Sequence, residues 1–163
     1  MSVSYDLAFP DALGRLVSNL VQLEFSLLVA LYLQEPTQMP TETLQTLKVG
    51  DVLPENHLTS WTTLKDLVSE YNAREKARAA KTVDDRIVDL RDAIAHGRVT
   101  MRRDTMEYRL IRFSNPRKTG KVTVELTDTL TMRWLEQQVK FAADAMMVIC
   151  ARIEELKPEV RIR

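Results

Sequence analysis

Cysteine is nearly absent from this chain. Cys150 is the only one among 163 residues, so no internal disulfide can form, and no Cys/His cluster has zinc-ligand spacing. Glycine (4) and proline (6) are scarce as well, which argues against an all-β chain built on many tight turns. There are two histidines, His57 and His96, and any nucleophilic triad would need one of them. A Gly-rich phosphate loop, a nucleophile elbow and an HExxH helix are all missing. The longest unbroken apolar run, Leu27 to Leu33, falls well short of the roughly 20 residues of a membrane span. The opening MSVSYDLAFPD has an early acid and no basic n-region, unlike a secretory signal. What remains is 45% hydrophobic and 28% charged, enough apolar side chain to build a core. The expectation is one soluble, cytoplasmic domain over 1–163, without membrane, metal or cofactor.

The apolar spacing is mostly helical. Leu13, Leu16, Leu20, Leu23, Leu27 and Leu31 recur every three or four residues, which predicts a first helix from Pro10 to about Gln34, stopped by Pro36. Residues 35–59 hold three prolines and no sustained period, so they read as a connector in which His57 does nothing chemical. A second helix is expected from Ser60, its cap, with Trp61, Leu64, Leu67, Val68 and Tyr71 turned inward. A third, from Thr82 to His96, buries Val83, Ile87, Leu90 and Ile94 and stops at Gly97. The period then changes to two. Residues 108–113 and 121–126 alternate around the turn sequence NPRKTG, which predicts a β-hairpin within about 99–126. The last helix carries Met132, Leu135, Val139, Ala142, Met146, Ile149, Ile153 and Leu156 on one stripe, capped by Thr127 or Asp128 and ended by Pro158. Cys150 lies in its apolar run MMVIC and reads as a buried, inert thiol.

A formal net charge of zero conceals an asymmetry. Residues 1–70 hold nine acids against Arg15, Lys48 and Lys65, a net −6. Residues 98–121 hold eight bases against Asp104 and Glu107, a net +6. A local basic field attracts phosphate even on a neutral protein, although a solvated hairpin face has the same composition.

The remaining chemical signal is RDAIAHGR, Arg91 to Arg98, at the end of the third helix. A histidine titrates near neutrality and can move a proton at a ribose hydroxyl or a leaving oxygen. An arginine stays charged and can stabilise a developing phosphorane. Together they suffice to cleave RNA through its own 2′-hydroxyl without a metal. Five residues at about 100° each set Arg91 and His96 roughly 140° apart around an ideal helix. Fraying near Gly97 would draw them together, and a symmetric dimer of helix ends, with Val88 and Ala95 in contact, would supply a second copy of each. The same residues also describe an ordinary helix end, since a histidine there complements the helix dipole.

RDAIAHG resembles the signature of the HEPN superfamily: an Arg, a polar residue, then a His after four to six positions, here Arg91, Asp92 and His96. The resemblance implies an all-α, four- to five-helix HEPN-like bundle with a small β-hairpin inserted before the long C-terminal helix. It also implies a homodimer, an endoribonuclease of toxin or defence type, and a possible cognate antitoxin protein as partner. Arg91 and His96 would be catalytic, with Asp92 orienting or supporting Arg91, and Arg98, Arg102 and Arg103 would grip RNA phosphates. One subgroup carries a Tyr two residues after the His; here Arg98 stands there, so modification of such a Tyr is not expected. Other members bind nucleic acid or protein without cutting, which leaves a non-catalytic interaction module as the alternative.

Overall fold

The structure is a computed structural model that describes residues 8–35, 45–105, 107–114 and 120–157. Its element order is α1 (Ala8–Tyr32), α2 (Leu64–Ala77), α3 (Arg86–His96), β1 (Arg98–Met101), β2 (Tyr108–Phe113), β3 (Val124–Leu130) and α4 (Met132–Leu156). The expected all-α bundle with a hairpin is therefore incorrect. Among the described residues there are four helices and a three-stranded antiparallel sheet in the order β1-β2-β3. The sheet is no appendage, because its inner face supplies core residues. Leu110 and Leu130 are buried with Ala93 of α3, and Phe9, Leu126 and Trp134 pack around them.

The chain divides into two compact units, each drawn from separate segments. The first joins residues 1–21 to 84–144. In it β1 pairs with β2 through Val99↔Leu110, and β2 pairs with β3 through Leu110↔Asp128. Tyr108 stacks on Phe9 of α1 with ring centroids 5.0 Å apart. Asn19 donates to the Val139 carbonyl at 3.3 Å, tying α1 to α4. The leucine stripe holds here, with Leu16 and Leu20 buried alongside Ile87, Leu90 and Leu135.

The second unit joins residues 22–83 to 145–163. Leu23, Leu27 and Leu31 of α1 are buried, as are Leu67, Val68 and Tyr71 of α2 and Ile149 of α4. Burial pushes the Tyr71 phenol up to about 12, helped by the nearby Glu75 carboxylate. Glu75 and Arg152 are themselves buried and paired, Nε to Oε1 at 3.0 Å. Arg152 also reaches Glu155 at 2.9 Å. A desolvated pair of this kind resists the loss of either partner, because the survivor would be a buried, uncompensated charge.

Helix starts depart from the sequence reading for local reasons. Ser60 does not cap α2; its hydroxyl bonds the His57 carbonyl and Thr62. Thr63 is the cap, accepting the Asp66 backbone N–H, and Trp61 is fully exposed in the preceding loop instead of turned inward. The third helix starts at Arg86, not Thr82. The buried Asn72 amide clamps the Val83 backbone, accepting its N–H at 2.8 Å and donating to its carbonyl at 2.7 Å, which holds that stretch out of the helix. Thr127 and Asp128 do not cap the last helix, since β3 runs through both; Thr131 does, accepting the Trp134 N–H at 3.1 Å. Cys150 is exposed, not buried. The proposed stops at Pro36 and Pro158, and most of the NPRKTG turn, lie outside the described residues. By length and composition α1 is apolar enough to cross a bilayer, a property the unbroken-run reading missed because Gln22 and Glu24 interrupt the pattern.

Gly97 joins α3 to β1. Its backbone is ordinary (φ −68, ψ 171) and its N–H closes the helix on the Ala93 carbonyl at 2.9 Å. The constraint is space. A Cβ there would lie far inside van der Waals contact with Ala93 O and 2.7 Å from Leu110 Cδ1. Gly97→Ala should therefore cost about 1–3 kcal/mol by overpacking, read as a lower urea midpoint with an unchanged slope.

Candidate functional site

The residues of RDAIAHG fall on the last two turns of α3. Arg91 is half-buried, and its Nη1 lies 3.2 Å from Asp92 Oδ1. His96 is the last residue of α3 and is exposed. Its imidazole forms no hydrogen bond with another described residue, and its carbonyl accepts Arg98 Nη1 at 3.2 Å. The helix is regular through His96, with Gly97 closing it. The fraying that would swing His96 toward Arg91 is therefore missing, and the roughly 140° separation of an ideal helix stands. Of the contact residues expected between helix ends, Val88 is half-buried and Ala95 is exposed.

The arginines expected to grip phosphate differ in availability. Arg98, on β1, is exposed and turned back to the His96 carbonyl. Arg102 pairs with Asp104 at 2.8 Å, and this hydrogen bond holds the Asp104 carboxyl below its ordinary value. Arg103 is exposed and makes no ion pair with another described residue. Further along, Arg112 is committed inward, 3.0 Å from Asp89 of α3 and 3.5 Å from Glu125 of β3. Arg109 donates to Thr127 Oγ1 at 2.9 Å on the outer face of the sheet. Two of the bases of 98–121, Arg102 and Arg112, are thus neutralised locally, and among the described residues Arg98, Arg103, Arg109 and Lys121 form its exposed part.

His57 is not the idle connector residue that the sequence suggested. Its Nδ1 meets Glu35 Oε1, and its Nε2 lies 3.2 Å from Glu70 of α2. The His57 backbone N–H also donates to Glu35 at 3.1 Å. Glu70 in turn pairs with Arg74, whose Nη1 reaches the Leu31 carbonyl at 3.5 Å. The cluster fastens the connector to the end of α1 and to α2. Nothing in the spacing of residues 35, 57, 70 and 74 reveals it, because the connector has no period.

No family model, curated protein or solved structure matches the chain. The link to HEPN proteins accordingly stands on Arg91, Asp92 and His96 alone.

Burial pushes the Glu70 carboxyl up, but hydrogen bonds from His57 and Arg74 and the charge of both outweigh it and hold the group below its ordinary value of 4.5. A depressed acid contributes stability that is fully present above its unfolded value and is lost as pH falls through the folded one. The wild type should therefore lose part of its stability as pH drops below about 4.5, and Glu70→Gln should lose less over that window. Urea midpoints of both proteins measured from neutral to acid pH test this.

Proposed function

We propose that this protein is a metal-independent endoribonuclease of the HEPN type, acting as a homodimer on RNA. The observation that carries the reading is the pairing of Arg91 with Asp92 within about one and a half turns of a His96 imidazole that is exposed and unengaged among the described residues. Neutral His96 takes the proton of a ribose 2′-hydroxyl. The 2′-oxygen attacks the adjacent phosphorus, and the bond from phosphorus to the 5′-oxygen breaks. Arg91 stabilises the extra negative charge of the phosphorane, while Asp92 positions the guanidinium. A water molecule supplies the proton that the leaving 5′-oxygen takes up. The products are a 2′,3′-cyclic phosphate and a 5′-hydroxyl.

With Arg91 and His96 on different sides of one helix, each site is composite: the arginine comes from one protomer and the histidine from its partner. Arg98 and Arg103 then hold phosphates flanking the scissile bond. A non-catalytic interaction module is the second reading, favoured by the edge strand β1, where Val99 and Met101 remain exposed on the sheet's inner face. Such an edge is a template for a partner strand.

Labelled RNA incubated in EDTA separates the two. The wild type should leave 2′,3′-cyclic phosphate ends, and His96→Ala should lower the rate about 10²–10⁴-fold, the usual contribution of a general base. Arg91→Ala should be of similar severity, and Arg103→Ala mild. Intact RNA with folded wild type across diverse sequences would leave the interaction module.

A further inference from the structure

An acidic residue stands where the fold calls for an apolar one. Along β3 the inner face reads Leu126, Asp128, Leu130, and Asp128 pairs across the sheet with Leu110, which is fully buried. Asp128 is half-buried, yet its carboxylate makes no hydrogen bond or ion pair with another described residue. A break of the local pattern without a structural partner marks a functional position. The carboxylate opens into a cleft of about 450 Å³ among α3, β3 and α4, all within the first unit. That volume lies in the range of small-molecule sites.

The walls are aromatic and aliphatic: Trp134 and Phe141 from α4, with Leu90 and Ala93 from α3. The ring of Phe141 already faces a cation, the Arg86 guanidinium, at 5.4 Å from its centroid. Arg86 is itself held by Asp84 at 2.6 Å, and Asp89 by Arg112 at 3.0 Å. Among the residues that line the cleft one cation, Arg86, stands against two acids, Asp89 and Asp128, a net −1. A phosphate-bearing ligand meets the wrong sign there. We propose that the cleft binds a small organic cation with a methylated, quaternary ammonium head. Its methyl groups rest on the Trp134 face and the aliphatic walls, and its charge is met by Asp128. An aromatic wall beside a carboxylate suits such a head. A primary ammonium would bring three N–H donors, whereas Asp89 is already engaged by Arg112 at 3.0 Å, which leaves Asp128 and the Gln138 amide as the side-chain acceptors it would meet. Arg91, Asp92 and His96 do not line this cleft, so the proposal is independent of the ribonuclease.

Trp134 reports on the cleft once the fully exposed Trp61, the chain's only other tryptophan, is changed to Phe. Choline titrated into Trp61→Phe at fixed ionic strength should give a saturable change in Trp134 emission. The neutral isostere 3,3-dimethylbutan-1-ol should bind at least about tenfold more weakly. Asp128→Asn, which keeps the shape, should weaken choline by at least about tenfold and leave the isostere unchanged. Trp134→Phe, followed by calorimetry, should weaken choline while retaining a ring. The proposal fails if choline gives no saturation, if the isostere binds equally well, or if Asp128→Asn binds choline like its parent. Saturation by adenosine monophosphate without any by choline would assign the cleft to a nucleotide instead and overturn it too.

Discussion

The end of α3 and the start of β1 meet at one residue, and only a residue without a side chain fits there. Gly97 closes α3 on the Ala93 carbonyl while Leu110 of the central strand presses on the same spot. Three consequences follow from that close approach. The helix stops with His96 in solvent instead of frayed. The strand begins at once, so Val99 comes into register with Leu110 and the sheet's inner face lands on α3. Leu110 and Ala93 are thereby buried together, forming the cluster on which Leu126, Trp134 and Phe9 pack. The proposed catalytic end and the cleft beneath Asp128 are both products of this junction.

Charge is handled differently in the two units. In the second, Glu75 and Arg152 are sealed inside, while Glu35, His57, Glu70 and Arg74 form a partly open cluster that fastens the connector. The buried pair is costly to break, because either survivor is stranded in low dielectric. The open cluster is screened by solvent and contributes less, but it responds to pH. In the first unit Arg112 is drawn inward between Asp89 and Glu125. That commitment removes a cation from the exposed face of the basic segment.

The helices were legible because an amphipathic stripe repeats its signal over several turns. Leu16, Leu20, Leu23, Leu27 and Leu31 mark α1 so often that no single residue decides the matter, and all five are buried. β1 was not legible: it has four residues, all of them exposed, and its pairing is set by Gly97 and Leu110, not by its own pattern. Helix starts were misread where a side chain some distance away in sequence clamps the backbone, as Asn72 does at Val83. Asp128 was mistaken for a cap because an acid before a helix usually is one; only the strand register shows it facing inward. His57 was missed for a similar reason, its partners lying 22 and 13 residues away. Arg91, Asp92 and His96 could be picked out by residue type and spacing, but their separation around a regular helix takes its meaning from the intact end of α3.

That separation requires a site shared between two protomers if Arg91 and His96 act on one phosphate. Its most direct measurement is RNA cleavage in EDTA by Arg91→Ala and His96→Ala, each inactive alone, after the two are unfolded together and refolded as a mixture. A mixed dimer would reunite one intact Arg91 with its partner's intact His96. With random pairing, about a quarter of the wild-type rate should return. A mixture as inactive as its components, while both variants remain dimeric, would contradict it.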